Sequence, residues 1–154
     1  MKINIIAGGK IDNSQYQAIF LEYQKRLKWK VNIYEINPRN TSNLNAFEYK
    51  KIEAELIFKS CKNNCKLIAL DEKGKQLSSP DFAKLLADYK NNGDSEINFV
   101  IGGAYGLADE IIKKADLVLS FGKMTLPHLM ARVILLEQIY RGWSIIENHP
   151  YHKF

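Results

Sequence analysis

The sequence predicts an α/β fold, a mostly parallel sheet with helices on both faces, from three observations. Five short apolar runs alternate with longer segments whose apolar residues recur at helical spacing. Glycine pairs and capping residues punctuate the boundaries. The 154 residues contain no internal repeat, low-complexity tract or linker, so a single domain built around a sizeable core is expected.

The first strand is expected over Lys2–Ala7 and is broken by Gly8-Gly9. A helix follows from Ser14 to Leu27, with Tyr16, Ile19, Phe20, Tyr23 and Leu27 on one face. Val31–Ile36 is the second strand, and 38–43 reads as a loop. The second helix, Leu44 to about Lys59, shows Phe47, Ile52, Leu56 and Phe58 in a loose amphipathic pattern. Lys66–Leu70 is a buried-looking third strand, followed by a polar loop over 71–75. Ser79-Pro80-Asp81 starts the third helix with a cap residue, a proline in the first turn and an acid at the positive dipole end. Asn92-Gly93 stops it. Glu96–Ile101 is the fourth strand and ends in Gly102-Gly103. A short helix covers 108–114, Asp116–Ser120 is the fifth strand, and Phe121–Leu126 is a loop. Pro127 opens the last helix, expected to run to about Tyr140, with a tail from Trp143 to Phe154.

The charge is unevenly placed. Residues 1–70 hold 12 Lys/Arg against 6 Asp/Glu, while residues 71–154 hold 10 against 11. A basic first half suits a polyanionic partner such as RNA, and it equally suits a solvated surface. No run approaches the roughly 20 apolar residues of a membrane span. The N-terminus reads as a strand rather than a secretory signal, so a cytoplasmic location without membrane association is expected. Cys61 and Cys65 have no histidine near them, which argues for free thiols and against zinc. No metal is expected.

Three loops leave the ends of strands three, four and five: Leu70-Asp71, Gly102 to Gly106, and Phe121 to Leu126. Ligands of parallel sheets bind outside the carboxyl ends of the strands, and these loops converge there if the three strands are neighbours. Gly102 and Gly103 admit a ligand close to the backbone, or form a plain turn. Phe121, Met124 and Leu126 offer apolar surface for an adenine or a thioether. The spacing GGAYG is not a dinucleotide fingerprint, and Gly8-Gly9-Lys10 lacks the rest of a phosphate loop. Both facts count against a nucleotide dehydrogenase or a P-loop enzyme. His128 and Arg132, four apart, share a face of the last helix. A helix N-terminus disfavours the imidazolium, so His128 is expected to be neutral, whether it serves chemistry, the core or a cap. Glu137 and Arg141 form a helix pair in the favourable order.

FVIGGAYGL (99–107), LSFGKMTLPH (119–128), ARVILLEQIYR (131–141) and NHPYHK (148–153), with LDEKGKQLSS (70–79), together resemble the RlmH family. These are SPOUT-class methyltransferases acting on N3 of a pseudouridine in 23S ribosomal RNA. The resemblance runs along essentially the whole chain. It implies one SPOUT domain over 1–154 with a C-terminal trefoil knot and no separate RNA-binding domain. It further implies S-adenosylmethionine as cofactor, a homodimer, and ribosomal RNA or the ribosome as substrate. Carried over by position, the cofactor contacts fall on Leu70, Gly102, Phe121, Gly122, Lys123, Met124, Thr125 and Leu126. His128 becomes the candidate for removing a proton or holding the base. Arg132, Tyr151, His152 and Lys153 become candidates for gripping the nucleotide across the dimer interface. Lys153 stands where relatives commonly carry arginine, and lysine cannot fork onto a phosphate. The reading of a different class is a non-catalytic RNA-binding or ribosome-associated α/β module, which cofactor binding would separate from the enzyme.

Overall fold

The five apolar runs become the five strands of one sheet. In the computed structural model, which describes residues 1–12 and 14–153, the elements are β1 (Lys2–Gly8), α1 (Ser14–Arg26), β2 (Lys30–Ile36), α2 (Ala46–Ser60), β3 (Lys66–Gln76), α3 (Ser79–Asn91), β4 (Glu96–Ile101), α4 (Asp109–Lys114), β5 (Leu117–Ser120) and α5 (His128–Ile146). The strand order is β2-β1-β4-β3-β5, with all pairings parallel. Strands β4, β3 and β5 are therefore neighbours, as convergence of the three loops requires.

Alternate residues of the inner strands face opposite layers. Ile3, Ile5 and Ala7 of β1, with Ile97, Phe99 and Ile101 of β4, face a core closed by Phe20 of α1, Phe82 and Leu86 of α3, and Leu135, Leu136 and Ile139 of α5. Ile6, Ala69 and Val100 face a smaller core closed by Ala54 and Ile57 of α2 and Ile111 of α4. Helix α5 comes close to α3 at Gly142, where an added Cβ would stand 3.0 Å from Leu86 Cδ1.

The structure departs from the sequence expectation in three elements. Strand β3 continues to Gln76 instead of ending at Leu70. Leu70 and Lys75 both pair with Leu119, so 71–74 bulge out between them. Helix α5 runs to Ile146 and takes in Trp143, Ile145 and Ile146, expected in the tail. Phe154, the end of that expected tail, lies outside the described residues. The buried face of α2 is Glu53, Ala54 and Ile57, whereas Phe47 is 78% exposed. Its start is fixed by a capping box: Asn45 Oδ1 accepts from Glu48 N–H at 2.9 Å, and Glu48 Oε2 accepts from Asn45 N–H at 3.0 Å.

Candidate functional site: a cleft at the carboxyl ends of β3, β4 and β5

The three loops enclose a cleft of about 780 Å³, within the range of small-molecule sites. Leu70, Ile101, Leu119, Phe121 and Leu126 give it an apolar floor, and Gly102, Gly103 and Gly106 bring backbone to its wall. Gly102 has no room for a side chain. A Cβ there would lie 2.5 Å from the carbonyl carbon of Gly106 and 2.7 Å from the Leu107 nitrogen, so the loop folds back upon it. Gly106 and Gly122 have positive φ of 73° and 141°, which L side chains rarely adopt.

Polar contacts brace the opposite wall. Ser120 Oγ donates to the carbonyl oxygens of Glu72 (3.1 Å) or Gly122 (2.9 Å) and accepts from Gly122 N–H at 3.0 Å. Thr125 Oγ1 donates to Glu72 Oε2 at 2.9 Å. The bulge in β3 is thereby tied to the loop after β5. On the remaining side Lys50 of α2 reaches the cleft, and Tyr105 packs edge-on against Tyr49 with centroids 5.2 Å apart.

His128 and Ala131 bring the first turn of α5 to the same cleft. His128 is half-buried, and its Nε2 lies 3.2 Å from where a Cβ on Gly9 would stand. Burial, followed by the Arg132 charge, holds its imidazole below the ordinary value against a weaker opposing pull from Asp12. The neutral ring expected from its helix position is therefore favoured. One turn further, Arg132 is wholly buried, and its Nη2 donates to the carbonyl oxygens of Gly8 and, at 2.8 Å, Gly9. From the other layer Glu53 is 1% exposed, and its Oε2 accepts from Gly103 N–H at 3.2 Å. Burial raises its carboxyl above the ordinary range, with Gly103, Lys50 and Arg132 pulling the other way.

The tail lies on α5 rather than over the cleft of its own chain. The Tyr151 ring packs edge-on against Tyr140 at 4.6 Å and lies under the Arg141 guanidinium at 4.9 Å, and its hydroxyl donates to Glu137 Oε1 at 3.1 Å. Arg141 pairs with Glu137 at 2.5 Å and meets His152 Nδ1 at 3.2 Å. Lys153 is exposed.

Of the residues assigned to the cofactor from the sequence, Leu70, Gly102, Phe121, Gly122, Met124, Thr125 and Leu126 line the cleft, and Lys123 does not. Of those assigned to the reaction, His128 stands at the cleft, Arg132 is buried behind it, and Tyr151, His152 and Lys153 lie outside its lining. Sequence reasoning missed Glu53 and Gly8. Nothing in the sequence marked Glu53, because the apolar pattern of α2 pointed to Phe47, Ile52, Leu56 and Phe58, whereas the buried residues are Glu53, Ala54 and Ile57. Among the described residues no three His, Cys, Asp or Glu stand close enough to hold a metal ion, and no helix is long and apolar enough to cross a membrane.

A parallel sheet with its cleft built from loops after three adjacent strands, glycine on one wall and a histidine-bearing helix on another, suits transfer chemistry on a bound small molecule. A family model described as a predicted SPOUT methyltransferase matches residues 1–152, and the chain belongs to that family of methyltransferases. Two curated relatives bear the name ribosomal RNA large subunit methyltransferase H. The protein from Clostridium tetani is 42% identical, covering 99% of this chain and 100% of the relative, and that from Rhodospirillum centenum is 39% identical over 99% of each. A solved structure, a probable methylase family protein from Haemophilus influenzae, shares the fold with a TM-score of 0.58 at 15% identity, covering 99% of this chain and 70% of the other.

Proposed function

We propose that this methyltransferase moves a methyl group from S-adenosylmethionine to N3 of a pseudouridine in 23S ribosomal RNA, on the ribosome. The observation that carries the reading is the convergence of the loops after β3, β4 and β5 on one glycine-walled, apolar-floored cleft, in a chain similar from end to end to ribosomal RNA large subunit methyltransferases H. The chain is read as one catalytic domain over 1–154, with a knotted C-terminal third, working in the cytoplasm.

The residues present fit S-adenosylmethionine. The apolar floor suits an adenine ring, and the backbone of the 102–106 loop lines the wall beside it. When bound, the cofactor supplies an electrophilic methyl on a cationic sulfur. The protein's task is to hold the N3 atom in line with that methyl and to take up the proton that N3 gives up. His128, neutral and at the edge of the cleft, accepts that proton. Arg132 acts through the Gly8-Gly9 turn on which His128 rests.

The tail supports a homodimer. In its own chain it packs on α5, away from the cleft, so a nucleotide at the cleft is gripped by Tyr151, His152 and Lys153 of a second subunit. Leu129, Met130, Val133 and Ile134 of α5 are half-buried or exposed and offer that subunit an apolar face.

The experiment supplies labelled S-adenosylmethionine and ribosomes from a strain lacking this activity, then maps the label. One methyl at N3 of a pseudouridine in the large-subunit RNA is expected. Label elsewhere corrects the target, and failure to bind the cofactor replaces the enzyme with a non-catalytic ribosome-associated module.

A further inference from the structure

We infer that Glu53 is a positioning residue of the methyl-transfer site, forming with Arg132 a buried acid–base couple that clamps the end of β1 to the end of β4 and so sets His128 against the cofactor wall. The inference rests on the reading of the cleft given above.

The two charged groups reach the strand ends from opposite faces of the sheet. Glu53 comes from α2, in the layer with Ile6, Ala69 and Val100, and Arg132 comes from α5, in the layer with Ile5 and Phe99. Between them lies Gly8. Its carbonyl accepts from Arg132 Nη2, and a side chain on it would collide with Glu53 Oε1. Gly103 stands in the same relation: its N–H donates to Glu53 Oε2, and a Cβ on it would lie 2.6 Å from Oε1. Glycine at the end of each strand thus makes room for one carboxyl group.

Both side chains retain unpaired polar atoms, and among the described residues no hydrogen bond or ion pair joins the two directly. Glu53 Oε1 and Arg132 Nε and Nη1 are buried and have no hydrogen-bond partner among the described residues. A fully buried glutamate or arginine is rare and costly unless opposite charge answers it, and the Arg132 guanidinium feels Glu35 first and Glu53 next. Apolar residues of equal volume would leave the Gly103 N–H and the Gly8 and Gly9 carbonyls without these partners, so the two side chains also stabilise the strand ends. What the couple adds is a fixed relation between two turns. Gly8-Gly9 supports His128, and Gly102-Gly103 forms the cleft wall proposed for the cofactor. A displacement of about 1 Å between reacting groups costs up to roughly a hundredfold in rate.

The test uses the full chain, with equilibrium binding of S-adenosylmethionine measured beside methyl transfer to unmethylated ribosomes. Glu53→Gln keeps the volume and an oxygen for Gly103 N–H but removes the charge facing Arg132. Its kcat should fall by about tenfold to a hundredfold, with cofactor Kd changed less than about threefold. Glu53→Ala also releases Gly103, so its cofactor Kd should rise as well. Arg132→Met reads the clamp from the other side and carries the test if Glu53→Gln does not fold. In a true couple the double variant E53Q/R132M is no slower than the worse single variant, because the second change removes nothing further. Wild-type kcat in E53Q or R132M overturns the inference, as does a double variant whose loss is the product of the two. Failure of the unaltered chain to bind cofactor overturns the cleft reading and this inference with it, and shows before any variant is compared.

Discussion

Gly102 is fixed by its neighbours more than by any ligand, since the backbone of Gly106 and Leu107 occupies the space of a side chain. Gly102→Ala must push the 102–107 loop outward, so cofactor affinity should fall about tenfold or more, roughly 1.4 kcal/mol. Calorimetry giving unchanged affinity in a folded variant would remove this loop from the site. His128 is a second single-residue test. Its folded imidazole is held below the ordinary 6.5 by burial and then by Arg132. The neutral form therefore persists to lower pH than in a free histidine. If it accepts the N3 proton, the acid limb of kcat should have its midpoint below pH 6.5, with full activity above, and should disappear in His128→Ala. A limb unmoved by that substitution belongs to another group. The same depression makes a stability contribution that is present above pH 6.5 and lost as pH falls, because the unfolded chain binds the proton first. These residues were legible in different degrees. His128 announced itself by following proline at a helix start. Glu53 did not, because a lone glutamate on a helix reads as solvated until the facing glycines are known.

Among the elements, β1 and β4 were readable because strands buried on both faces are apolar almost throughout. The extension of β3 over 71–76 was not, since its residues are polar and its pairing is decided by the neighbouring edge of β5. The end of α5 was obscured by Gly142, which reads as a weak point in a helix but serves close approach to α3. The polar contents of the inner strands were also missed. Asn32 Nδ2 donates to Asn4 Oδ1 at 2.9 Å, Asn4 Nδ2 to Asn98 Oδ1 at 3.0 Å and Glu96 Oε1 at 2.7 Å, and Asn98 Nδ2 to the Lys62 carbonyl at 3.1 Å. The three asparagines are direct register partners across β2, β1 and β4, so a slip of one residue would strand every amide. Asn4→Leu leaves Asn98 Oδ1 buried without the Asn4 donor and should cost about 1–3 kcal/mol, read as a lower urea midpoint. An unchanged midpoint would show that the ladder contributes nothing to stability.

For the whole molecule, the proposed dimer should give twice the chain mass by light scattering at micromolar concentration, and a monomer mass there would remove the second subunit from the site. Ending the chain at Pro150 tests the tail. Tyr151 is docked on Tyr140, Arg141 and Glu137, so its loss should cost about 1–2 kcal/mol from the ring and cation contacts. The truncated protein should still bind cofactor and dimerise, yet methylate about tenfold to a hundredfold more slowly, the effect of losing a stacking ring. Equal turnover would leave the tail with a structural role alone. The strand order carries one more consequence, for the chain as it is made. Strand β1 lies between β2 and β4, but β4 begins at Glu96, about 90 residues after β1 ends at Gly8. At ordinary elongation speeds of roughly 5–20 residues per second, one edge of β1 waits on the order of ten seconds for its partner. Loops after β5 and the start of α5 complete the cleft, so an emerging polypeptide has no cleft until the chain has been made through the first turn of α5, more than 120 residues after β1 ends.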